Sequence, residues 1–164
     1  MTTTVVRKRG KPANTEDKKP SHKDMVLKLR SVSFLMGMET DALNNAIEDA
    51  QKFFLELDLG VAATVRLETT GHPNTYDYEY RDLCFQKQGG SWMFVVEIGD
   101  GQSYPDTTAL LNTSRRVREL AATKIPEMLV ALHDAATKKV ETVKAAHMGL
   151  RAFLAEARDD GGEE

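Results

Sequence analysis

Residues 113–158 read TSRRVRELAATKIPEMLVALHDAATKKVETVKAAHMGLRAFLAEAR, and this stretch decides the fold. It holds one proline, Pro126, and no glycine before Gly149. Asn112, Thr113 and Ser114 are consecutive cap candidates in front of it. Val117, Leu120, Ala121 and Ile125 form one apolar face before the proline. Past it, Leu129, His133, Ala136, Val140, Val143, His147, Leu150, Leu154 and Ala157 are spaced alternately three and four apart. That is a heptad-like seam on a long helix. Pro126 removes a backbone donor, so it kinks this helix or opens a second one at its first position. A seam of this length needs another long helix to cover it, from the same chain or from a second copy.

The candidate partner lies upstream. From Lys23 to Asp58, residues Val26, Leu29, Ser33, Met36, Thr40, Leu43, Ile47, Ala50, Phe54 and Leu57 also alternate three and four apart. Leu27, Phe34, Leu35, Met38, Phe53 and Leu55 widen the apolar surface beyond a two-helix seam. Gly37 lowers helix propensity, and a break between Gly37 and Thr40 is expected, with Thr40 as a cap. Residues 39–58 hold six acids and one lysine, whereas 114–151 hold eight bases and four acids. The two helices are expected to lie side by side and antiparallel, with these charges flanking the seam. Single surface pairs are worth about 0–1 kcal/mol, so the charges guide pairing more than stability.

Between the helices, the periodicity switches to two. Val61, Ala63, Val65 and Leu67 share one face of a strand, with Thr64, Arg66 and Glu68 on the other. Tyr76–Lys87 reads as a second strand, in which Tyr76, Tyr78 and Tyr80 share a face and Leu83 and Phe85 point the other way. A bulge near Arg81 and Asp82 would bring all five to one side. Gly89 and Gly90 make a tight hairpin into a third strand, Ser91–Ile98, with Trp92, Phe94, Val96 and Ile98 on one face. Residues 107–111 fit a short edge strand or a helical turn equally well. The expected fold is α+β: a long N-terminal helix, a three-stranded antiparallel meander, and a long kinked C-terminal helix packed on the sheet and on the first helix. The expected organisation is a disordered basic arm at 1–22, one α-β-β-β-α domain at 23–158, and a disordered acidic tail at 159–164.

Net charge is −3, but residues 1–23 carry seven bases against two acids, and residues 156–164 five acids against one base. The N-terminus lacks the apolar run of a secretory signal, and no stretch reaches the roughly 18–20 apolar residues of a membrane span. The single cysteine, Cys84, cannot form an internal disulfide. A cytoplasmic protein with no membrane association is expected.

No catalytic, cofactor-binding or metal-binding site is expected. Cys84 sits between Leu83 and Phe85 without a partner thiol and reads as a buried thiol. His133 and His147 share the seam phase but stand about 21 Å apart along one helix, too far to share a metal. Asp100 and Asp106 lack the spacing of a calcium loop. Gly89-Gly90 lacks the lysine and helix start of a phosphate loop. The chain is therefore read as a non-catalytic interaction or adaptor protein, binding itself or another protein through Val140, Val143, His147, Leu150 and Leu154. The alternative is a nucleic-acid accessory protein. It would use Arg7, Lys8, Arg9 and Lys11 of the arm with Arg115, Arg116 and Arg118 at the start of the last helix. A third, weaker class is an enzyme built on the tyrosine-rich sheet face.

Overall fold

The computed structural model describes residues 21–72 and 75–159. The basic arm up to residue 20 and the acidic tail from residue 160 lie outside the described residues. The fold is α+β. Its elements are α1 (His22–Glu56), β1 (Ala63–Thr70), β2 (Glu79–Gln88), β3 (Ser91–Gly99), β4 (Asp106–Ala109), a 3-10 turn (Leu110–Asn112) and α2 (Arg115–Asp159). The chain divides into two compact units, Met1–Gly37 and Met38–Glu164. The boundary falls at Gly37, where the sequence predicts a break, yet α1 itself is assigned without interruption. No described helix is long and apolar enough to cross a membrane.

In the first unit, α1 starts at a reciprocal cap. The Ser21 hydroxyl accepts from the Asp24 amide at 3.2 Å, and the Asp24 carboxylate accepts from the Ser21 amide at 3.3 Å. Two otherwise orphaned donors are thereby satisfied. Thr40 is not a cap, because the helix runs through it.

In the second unit, the sheet order is β1-β2-β3-β4, all antiparallel. The sheet has four strands where the sequence predicts three. Residues 106–112 satisfy both alternatives in turn, first pairing with β3 and then closing a 3-10 turn. Gly89 and Gly90 both take positive φ (58° and 94°), as a two-residue primed turn requires, and Gln88 pairs with Ser91 across it.

The bulge is on β1 rather than on β2. Arg66 pairs with Asp82 and Glu68 with Arg81, so Leu67 is the extra residue. Strand β2 alternates without a slip against β3. Tyr80 therefore faces away from Leu83 and Phe85. The bulge also reverses the expected facing of Glu68. Instead of following Thr64 and Arg66, it turns to the side that carries Leu83, where it pairs with Arg81 and, at 3.6 Å, with Arg116 of α2.

One core fills the face formed by Ala63, Leu67, Leu83, Phe85, Phe94 and Val96. Ile47 and Phe54 of α1 and Ala121, Met128 and Leu132 of α2 close it, so both helices cover the same face of the sheet. The Phe54 ring lies 5.4 Å from Phe85 and 5.0 Å from Phe94. Gln51 of α1 accepts from the Phe94 amide at 2.9 Å, beyond the point where β4 stops pairing. Three ion pairs of the helices are local, Lys52–Asp49, Arg115–Glu119 and Lys124–Glu127, and Arg116 reaches Glu68 of β1. Apolar burial, not a flanking charge ladder, brings the helices to the sheet. Helix α2 continues across Pro126, which is exposed.

Candidate functional site

Where α2 leaves the sheet, it forms one wall of an apolar groove in the second unit. The groove has a volume of about 430 Å³ and is lined by Leu57, Leu59, Leu129, Leu132, His133, Ala136, Thr137 and Val140. Its few polar atoms are occupied locally. The Thr137 hydroxyl donates to the His133 carbonyl at 2.9 Å, which leaves its methyl as the exposed part. His133 Nδ1 lies 3.3 Å from the Asp134 carboxylate. A second, smaller cavity follows, lined by residues that include Phe54, Leu59, Val61, Trp92 and Leu132.

Leu129, His133, Ala136 and Val140 are the first members of the seam read from the sequence. The seam then continues without cover. Val140, Val143, Leu150 and Leu154 are 44–57% exposed, and His147 is exposed beside them. From Thr137 to Glu156, every residue of α2 is exposed. From Leu129 to Leu154 the seam runs about 37 Å along the helix. Groove and seam together form one linear apolar track, and they place the five partner-binding residues predicted from sequence on it.

A second apolar surface lies on α1 in the first unit. Met25, Val26, Leu27, Leu29, Val32, Phe34, Leu35 and Met36 are each 44–68% exposed. Monomeric proteins rarely expose contiguous apolar patches of more than a few hundred Å², and larger ones mark interaction sites.

The other predicted residues fall elsewhere. Arg7, Lys8, Arg9 and Lys11 lie outside the described residues. Arg115, Arg116 and Arg118 do not converge on one point. Arg115 pairs with Glu119 at 2.7 Å and Arg116 with Glu68. The Arg118 guanidinium donates to the Leu111 and Thr113 carbonyls at 3.1 and 2.6 Å, closing the 3-10 turn onto α2. These guanidinium groups meet acceptors inside the chain.

The face of the sheet away from the helices is polar. Arg66 forms an ion pair with Asp82, with a further contact of 3.3 Å, and donates to the Tyr78 hydroxyl at 3.3 Å. Its guanidinium carbon sits 4.6 Å from the Tyr80 ring centroid. The same ring lies over Gly99, where an added Cβ would stand 2.6 Å from the phenol oxygen. Tyr80 is thus held by its own sheet and offers little free ring surface for stacking. Beside it, a cleft of about 380 Å³ is lined by Tyr76, Tyr78, Tyr104 and four carboxylates. Two of those carboxylates are engaged, Asp100 by the Gln102 and Ser103 amides at 2.8 Å and Glu79 by Arg81 at 3.0 Å. The amides hold Asp100 below its ordinary carboxylate range.

Cys84 is buried, and burial pushes its thiol up to about 12, which leaves it unreactive as a nucleophile near neutral pH. Among the described residues, no group of three His, Cys, Asp or Glu side chains could hold a metal ion.

Asp82 gives a prediction. Burial raises its carboxyl above the ordinary value of 3.8, against the opposing pull of Arg66. The folded state therefore binds this proton more readily than the unfolded chain. The stabilisation this provides is complete below 3.8 and is lost as pH rises through the higher folded value. In thermal melts across mild acid, Asp82→Asn is expected to gain stability relative to wild type as pH rises. A difference independent of pH would contradict this.

Sequence periodicity found the track but not its second wall. Leu57 and Leu59 flank the end of α1, and only the return of the chain past Gly60 brings them against α2. No family model, no curated protein and no solved structure matches this chain.

Proposed function

We propose that this chain is a non-catalytic interaction protein of the cytoplasm that associates with further copies of itself through its exposed helical surfaces. The observation that carries this reading is the continuity of the groove with the seam on α2. A closed groove of this volume would suit a small ligand, but such pockets place a few convergent polar groups among apolar walls. Here the walls are apolar and the track extends past the groove for several helical turns. That geometry suits a helix laid lengthwise, whose side chains at i, i+3, i+4 and i+7 enter in turn.

Sedimentation equilibrium across a concentration series tests the proposal. The monomer mass is 18.3 kDa, and the expected result is a concentration-dependent rise to a multiple of it. A mass that stays monomeric at every concentration would overturn self-association. The nucleic-acid reading gains no support from the positions of Arg115, Arg116 and Arg118. Measuring binding of the full chain to duplex DNA and to RNA across a salt series decides it, since phosphate contacts impose a steep salt dependence.

A further inference from the structure

We infer that the α2 helices of two copies pair antiparallel about a two-fold axis beside the Glu141–Thr142 peptide bond, each seam covering the other from Leu129 to Leu154. This contact rests on the self-association proposed above and specifies its surface, direction and register.

The seam is its own complement when the helix is reversed. Turned end for end about that axis, Val140 falls opposite Val143, His133 opposite Leu150, and Leu129 opposite Leu154. All six are exposed in the single chain. The matched stretch covers about 37 Å of helix on each copy.

Reversal also fills the groove. The sheet lies against the first half of α2 and the uncovered stretch is the second half, so an antiparallel pair sets each uncovered stretch beside its partner's groove. Phe153, 62% exposed, stands three heptads after Leu132, so the two share one flank of the seam. In the pair, Phe153 of one copy comes within about 3 Å of the level of Leu132 in the other. Its ring, with Leu150 and Leu154, then enters the groove that Leu57 and Leu59 close from the far side. A parallel pair would set the two grooves side by side and leave Phe153 outside both.

Charge selects the same arrangement. On the flank opposite Phe153, Asp134 and Glu141 stand seven residues apart, and so do Lys144 and Arg151. All four are exposed. Pairing about this axis brings Glu141 of one copy to Lys144 of the other, and Asp134 to Arg151, each within about 3 Å along the helix. Two-fold symmetry makes four such pairs. Lys139 belongs to the flank of Phe153 and falls opposite Ala146, and Lys138 stands on the far side of the helix, outside the contact. The flanks that meet therefore carry two acids and two bases on each copy. Sliding the pair by seven residues to centre on Ala145 brings the two Lys144 side chains together, and sliding it the other way carries Leu154 past Leu129 to Ala122. Parallel pairing in register sets Lys139 beside Lys144. Such complementarity selects orientation and register more than it adds affinity.

Two full-length preparations test the contact, one carrying Leu129→Cys and the other Leu154→Cys, mixed and treated with a short thiol-specific cross-linker. Cys84 is buried and serves as a silent background. The expected product joins the substituted positions of unlike chains, in several-fold excess over links between like chains. Links only between like chains, or an associated mixture that forms no link, would overturn this contact and leave self-association standing. Wild type that sediments as a monomer at every concentration, with no link in the mixture, would overturn both. A charge exchange checks the register without thiols. Asp134→Lys with Glu141→Lys in one preparation, and Lys144→Glu with Arg151→Glu in another, alter exposed residues only. Each alone is expected to associate about tenfold or more weakly than wild type, because its four cross-pairs become like-charged. The equimolar mixture is expected to regain wild-type association as a mixed pair. Equal association of the separate and mixed preparations would overturn the inference.

Discussion

Phe54→Ala is expected to destabilise the fold by about 3–5 kcal/mol, the range for truncating a buried aromatic ring. The ring is 3% exposed and packs against Phe85 and Phe94, a cross-strand pair at the centre of the sheet. Its loss removes apolar burial and leaves a cavity that the paired strands cannot collapse into. In a chain of this length, the melting temperature should fall by roughly 6–20 °C. Phe53 is the control, since its side chain is 47% exposed. Phe53→Ala should cost less than about 1 kcal/mol in the monomer. Equal losses for the two variants, in thermal melts at low protein concentration, would show that α1 does not use Phe54 as its anchor.

The second large effect is on association. Val143→Glu with Leu150→Glu places two carboxylates on the exposed seam, where the folded monomer leaves them in water. In an assembly that covers the seam, each would be buried without a partner, at a cost of several kcal/mol per charge. Two-fold symmetry doubles the number of buried charges. The double variant is expected to sediment as a monomer at concentrations where wild type is associated, with an unchanged melting transition for the sheet domain. Lys139→Glu makes the contrast, because an exposed flanking pair is worth only about 0–1 kcal/mol. If the Val143 and Leu150 variant sediments like wild type, the seam is not the association surface.

The two results separate what holds the domain together from what it offers to a partner. Met128 and Leu132 of α2 are buried because the sheet lies beneath them, whereas Leu129 and His133, each one residue further on, belong to the seam and are exposed. Val140 and Val143 have similar chemistry, but α2 has by then run past the sheet. The core stripe and the seam of α2 are thus neighbouring stripes, and the seam is the one that continues past the sheet.

The order of the strands, the hairpin at Gly89-Gly90, the inward face of β3 and the seam of α2 are all local in origin. Each follows from spacing within one element, which is why the residue order alone determines them. The same holds for the buried thiol of Cys84, set between Leu83 and Phe85, whereas the helix break expected between Gly37 and Thr40 is absent from α1.

What the sequence could not determine depends on partners distant along the chain. Residues 106–109 become a strand because β3 presents an unpaired edge to them, and four residues carry too little periodicity to say so. The bulge at Leu67 is set by the pairing of β1 with β2, and only that pairing turns Glu68 toward Arg116. Arg118 looks like part of a basic cluster until the 3-10 turn brings the Leu111 and Thr113 carbonyls to it. The groove needs Leu57 and Leu59 beside α2, a contact between residues about 70 positions apart. Local spacing wrote the seam into the amino-acid order. Only the tertiary structure decided that Met128 and Leu132 face the sheet while the seam beside them, from Leu129 onward, is left facing outward.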